Sequence, residues 1–152
     1  MSLVQARKLI EKPGRFAYLM GLYAENYWRL TRVFDPQRLD SGAYCSRAGD
    51  AIDVRLDLIE QHAYTTELKL SYTFEDERTG APDPSAHVRL YRDARMAEVT
   101  HCYVGTRIED VIGRFASPRT VFDHRLRMNS FLSKWLEYLD LRGHSRFTLK
   151  PL

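Results

Sequence analysis

No run of about 18 uninterrupted apolar residues occurs in the chain, so no segment has the length and character of a membrane-spanning helix. The first residues are broken by Arg7, Lys8, Glu11 and Lys12 where a secretory signal needs an apolar stretch, and a cytoplasmic location with no membrane partner is expected. Cysteine is scarce: Cys45 and Cys102 stand alone without C-x-x-C spacing, which supplies neither a zinc site nor a disulfide framework. The five histidines, His62, His87, His101, His124 and His144, fall in separate segments, and no two share the i, i+4 spacing of metal ligands on one helical turn. The phosphate-cradling glycine loops G-x-G-x-x-G and G-x-x-x-x-G-K-[ST] are missing, as are G-x-S-x-G and H-E-x-x-H. Neither a metal nor another cofactor is therefore expected. His101 and Cys102 are adjacent, but neighbours on a strand point to opposite faces and cannot work as base and nucleophile.

Charge of one sign is also lacking. The net charge is only +3, too small an excess to argue for nucleic acid held by counterion release. Lysine is rare, with five against 18 arginines. An arginine excess suits phosphate and carboxylate ligands through its planar fork, and it also follows from a GC-rich coding sequence.

What is present is the composition of one compact domain: 152 residues, 44% hydrophobic, 28% charged and 12% aromatic, with no internal repeat and no linker. From Arg15 to Phe34 the residues Phe16, Leu19, Met20, Tyr23, Tyr27, Leu30 and Phe34 recur at steps of three and four, the stripe of an amphipathic helix that Pro13-Gly14 starts and Asp35-Pro36 stops. Residues 1–12 offer a short helical turn through Leu3, Leu9 and Ile10, too short to be stable alone and expected to be flexible. Beyond Gly42 the period becomes two. Residues 53–59 and 65–74 alternate as strands joined by a hairpin at Gln61 to Tyr64, and Ala43 to Ser46 reads as an edge strand. Residues 75–85 read as a polar exposed loop.

Strands resume at 86–92 and 96–104. A two-residue turn at Asp93-Ala94 pairs Leu90 with Ala97, Arg89 with Glu98 and Val88 with Val99, which makes Arg89 and Glu98 an opposite-charge pair on the outer face. Residues 105–122 have no firm period, with Ile108, Val111 and Ile112 fitting a short strand or turn. Asp123 is the expected N-cap of a second helix that carries Leu126, Phe131, Leu132, Trp135, Leu136 and Leu139 and ends at Gly143. The predicted fold is α+β: one domain in which an antiparallel sheet of four or five strands is flanked in sequence by an N-terminal and a C-terminal helix, both packed on one face.

Two groups of polar residues stand out. Arg55, Asp57, Glu67, Lys69, Arg89, Tyr91 and Glu98 share the outer sheet face, where they form either an anion site or a solvated surface whose charges pair across strands. Asn26 and Asn129 lie on otherwise apolar helix faces, where a buried amide must find partners, in the fold or in a ligand. The segments Leu19-Met20-Gly21-Leu22-Tyr23-Ala24-Glu25-Asn26-Tyr27, Val88-Arg89-Leu90-Tyr91-Arg92-Asp93-Ala94 with Ala97-Glu98-Val99, and Met128-Asn129-Ser130-Phe131-Leu132-Ser133-Lys134-Trp135-Leu136 resemble the YqiB-like family of small bacterial proteins, a domain of unknown function. The resemblance runs from about residue 15 to residue 143 and departs at Arg92, where family members often carry histidine. It implies a cytoplasmic bacterial protein, brings no known activity or cofactor, and picks out Asn26, Arg89, Tyr91, Asp93, Glu98 and Asn129.

With Arg89, Tyr91, Arg92 and Arg95 within seven residues, the expected function is a non-catalytic binding or adaptor module for an anionic small molecule or an acidic protein partner. The alternative is an enzyme acting on a phosphorylated or carboxylated metabolite, with Asp93 or Glu98 as acid or base and Arg89 as the anion clamp.

Overall fold

The computed structural model describes residues 14–73, 84–104, 106–107 and 117–152. The expected helical turn in 1–12, Phe74 with nearly all of the 75–85 loop, and Ile108, Val111 and Ile112 lie outside the described residues. Helix α1 spans Arg15–Val33, and a 3-10 turn at Pro36–Arg38 follows it. Strands β1 (Gly42–Ser46), β2 (Val54–Gln61), β3 (Thr65–Tyr72), β4 (Ser85–Tyr91), β5 (Met96–Val104) and the two-residue β6 (Thr106–Arg107) come next. Helix α2 (Pro118–Leu141) and β7 (Leu149–Pro151) complete the order. The sheet is antiparallel in the order β6-β5-β4-β3-β2-β1-β7. No helix among the described residues is long and apolar enough to cross a membrane.

The inner sheet face is the one the alternation selects: Val54, Leu56, Leu58, Leu68, Leu70, Val88, Leu90 and Val99 are all buried, with Leu30, Leu132, Trp135 and Leu136 in the same cluster. The two helices run side by side in the same direction, for Arg15 reaches Asp123, Arg29 reaches Glu137 and Arg32 reaches Asp140. Phe16 departs from the expected stripe. Burial on α1 begins only at Leu19, and Phe16 in the first turn is 68% exposed.

The β4–β5 register is the expected one, with Val88 opposite Val99, Arg89 opposite Glu98 and Leu90 opposite Ala97. Its turn differs: the ladder closes at Tyr91 opposite Met96, and Arg92 to Arg95 form a four-residue loop with Arg95 left-handed at φ 54°. A two-residue hairpin turn places its central residues at positive φ, which Ala94 resists, whereas the longer loop needs one such residue.

Helix α2 starts at Pro118, five residues before the expected cap. Ser117 is the N-cap, its hydroxyl accepting the Thr120 N–H at 3.2 Å, and proline at the first helical position has no N–H to leave unsatisfied. Asp123 binds Arg15 across the helix pair instead, at 3.0 Å. The far end closes at Gly143, whose φ of 93° lets the N–H groups of Gly143 and His144 turn back onto the carbonyls of Asp140 and Leu139.

Strand β1 is not the edge that its sequence suggests, because β7 pairs outside it. This last strand is tied down by a buried polar relay. His144 is 1% exposed; its Nε2 donates to the Ile52 carbonyl at 3.2 Å, which leaves Nδ1 to accept from the Ser46 hydroxyl at 2.7 Å, and Ser46 also meets the Thr148 hydroxyl at 2.6 Å. Burial lowers the His144 pKa, with Ile52 and Asp53 opposing. The imidazole therefore binds a proton more readily in the unfolded chain than in the folded one, and stability is expected to fall as the pH drops below about 6.5 toward the depressed native value. Urea midpoints at about pH 7.5 and about pH 5.5 should differ more for wild type than for His144→Gln, whose amide cannot titrate; equal differences would show that His144 carries none of the slope.

Candidate functional site

Strands β3, β4 and β5 line up Glu67, Arg89 and Glu98 in one row across the outer face. Arg89 thus has a carboxylate on either side, and it binds Glu67, at 2.6 Å from a terminal nitrogen and 2.9 Å from Nε. The expected Arg89–Glu98 ion pair is replaced. Its strand pairing is correct, but the neighbour supplied by β3 takes the guanidinium, while Glu98 accepts the Tyr91 hydroxyl at 2.5 Å. Burial and the bond to Glu98 raise the Tyr91 pKa, so the phenol stays protonated as the donor. Arg89 borders a depression of about 190 Å³ that His87 and His101 also line, but its fork is already engaged there.

Beside this row, over β1 to β3, lies a wider trough of about 440 Å³. Arg47, Arg55 and Lys69 bring three cations into it, and Asp53 and Asp57 bring two anions. Arg47 Nε is 3.1 Å from Asp53 and Arg55 Nε 3.0 Å from Asp57. Lys69 faces Asp57 across the strands but makes no ion pair among the described residues, because Arg55 holds that carboxylate. Ser71 also lines the trough; the residue is fully buried, and its hydroxyl has no hydrogen-bond partner among the described residues.

The two asparagines meet at the helix interface. Asn129 is fully buried; its Oδ1 accepts the Val99 N–H at 2.9 Å, its Nδ2 donates to the Arg125 carbonyl at 2.9 Å, and its own carbonyl accepts Asn26 Nδ2 at 3.0 Å. One side chain thus clamps α2 onto β5 beside Glu98, and Asn26 adds α1 to the clamp. The structure brings Arg89, Tyr91 and Glu98 together on the outer face of β4 and β5, whereas Asn26 and Asn129 sit at the helix interface and reach β5 through the Val99 N–H. Arg92 belongs elsewhere: it donates to Gln61 Oε1 at 2.9 Å and to the Gln37 carbonyl at 3.2 Å. Gln61 in turn donates to the carbonyls of Pro36 and Leu39, both at 2.8 Å, and accepts from Thr66. This network fastens the 3-10 turn to both hairpins. Asp93 is exposed in the loop and joins neither group.

A family model described as "Protein of unknown function (DUF1249)" matches residues 29–145, about three quarters of the chain. The chain belongs to that family. No curated protein and no solved structure matches it. The matched region of this DUF1249 chain contains the outer-face row, the trough cations and Asn129, while Asn26 and most of α1 precede it. Arg47 and Ser71 were not singled out from the sequence. Ser71 carries a signal in its alternation with Leu70, which places it on the outer face, but its burial there depends on the surrounding strands.

Proposed function

We propose that the chain is a binding module for a small anionic molecule, held in the trough over β1 to β3. The conjunction that carries this reading is a concave surface of about 440 Å³ holding Lys69 beside the buried Ser71 hydroxyl, where among the described residues the first has no ion-pair partner and the second no hydrogen-bond partner. Arg47 and Arg55 each meet their aspartate through Nε, so terminal N–H groups remain to grip a phosphate or carboxylate. A concave site of this size suits a small molecule better than a protein surface. Arg89 is not the clamp in this reading, since Glu67 already occupies its fork.

Thermal melting against inorganic phosphate, citrate and nucleoside phosphates tests it. A ligand at about 100 times its Kd adds about 2.7 kcal/mol, or roughly 5–10 °C for a domain of this size. Lys69→Gln and Arg55→Gln should remove most of that shift. Arg89→Gln should leave it intact and change stability by no more than about 1 kcal/mol, as befits a half-exposed ion pair. Melting unmoved by any of these anions, or a shift that survives both trough substitutions, would sink the proposal.

A further inference from the structure

A second concavity, of about 480 Å³, opens where the first turns of α1 and α2 meet β5. Because the helices run in the same direction, they present matching sequences of side chains. Phe16 and Leu19 on α1 and Val121 and Phe122 on α2 form apolar walls, and one turn further along each helix stand Tyr23 and Arg125, joined by Glu98 from the sheet. Apolar walls with a few convergent polar groups are the usual make-up of a small-molecule site. Tyr23 feels both charges: burial raises its pKa, Glu98 adds to the rise, and Arg125 opposes it through a side-chain hydrogen bond and its charge. Among the described residues neither Glu98 nor Arg125 has an ion-pair partner, and the carboxylate receives the Tyr91 hydroxyl on one oxygen only.

An apolar acid in this groove would meet Arg125 but leave Glu98 facing a second anion, and an apolar amine would leave Arg125 without a counter-charge. A zwitterion answers both. We propose that the groove binds a free α-amino acid with an apolar side chain, its ammonium on Glu98, its carboxylate on Arg125 and the Tyr23 hydroxyl, and its side chain against Phe16, Leu19 and Phe122. The Glu67–Arg89–Tyr91 chain behind Glu98 is then its support: Tyr91 fixes one carboxylate oxygen and leaves the other for the ligand. This site shares no residue with the trough and does not depend on it.

Calorimetric titration with L-leucine and L-phenylalanine, set against 4-methylpentanoate and 3-methylbutylamine, tests the assignment. The two amino acids should bind at least tenfold more tightly than the analogues lacking the ammonium or the carboxylate. Glu98→Gln should bring leucine and 4-methylpentanoate to similar affinity, and Arg125→Gln should do the same for leucine and 3-methylbutylamine. Arg125 is exposed, so its variant stays folded, and circular dichroism checks both. Lys69→Gln should leave leucine binding unchanged, which separates this site from the trough. The proposal is overturned if no amino acid binds, if either analogue binds as tightly as leucine, or if binding survives both groove substitutions. It is equally overturned if sedimentation shows a dimer that Val121→Glu disperses, since the groove then belongs to a second copy.

Discussion

Trp135→Ala is expected to destabilise the domain by about 3–5 kcal/mol, a large part of the roughly 5–15 kcal/mol that holds a domain of this kind folded. The side chain is 5% exposed between the fully buried Leu132 and Leu136, and its ring stands edge-on to Tyr72 of β3 at 5.4 Å and tilted against Phe131 at 5.5 Å. Truncation removes the ring that joins α2 to Tyr72 of β3 and leaves a cavity between helix and sheet. Lys134→Ala, one residue earlier on the exposed face, should change stability by no more than about 0.5 kcal/mol. Overlapping urea curves for wild type and Trp135→Ala would contradict the burial of this helix face.

Asn129→Ala should cost about 2–4 kcal/mol, through a buried Val99 N–H left without an acceptor and the packing lost around a fully buried side chain. Asn129→Leu distinguishes the two contributions, since it keeps the volume and still strands the N–H. If the leucine variant matches wild type, the hydrogen bond to β5 contributes nothing. Asn26→Ala should act almost independently, because Asn26 donates to the backbone carbonyl at position 129, which every substitution there retains. A coupling above about 1 kcal/mol in the double-mutant cycle would refute that independence.

Particular elements show why some features were legible in the sequence and others were not. Alternation in β2, β3, β4 and β5 marks the buried face directly, because a strand sends successive side chains to opposite sides and only one side meets the helices. The β4–β5 register was readable for the same reason, as a slip of one residue would turn Val88 and Leu90 outward. The partner of Arg89 was not, because it depends on β3 lying on the far side of β4, a neighbour that the sequence of one hairpin does not contain. Ser117 and Pro118 fall in the 105–122 stretch that has no firm period, and they start a helix once Thr120 and Val121 follow with helical backbone. Strand β7 has three residues, too few for any period, and its place is set by the relay of His144, Ser46 and Thr148.

Both asparagines were conspicuous as polar residues on apolar helix faces. Only the assembled layers decide what each amide holds: Asn129 takes a β5 N–H and Asn26 takes the carbonyl of Asn129. The groove is less legible still. Tyr23, Glu98 and Arg125 stand on three elements far apart in the chain, and each has an ordinary local reason to be where it is. Periodicity acts over a few residues, so it settled the presence of two helices, the inner sheet face and the central strand pairing, while the resemblance of three segments pointed to the family. Which charge meets which, where a cavity opens and what lines it are settled by packing between distant segments. That information resides in no single stretch of sequence, and only the tertiary structure decided it.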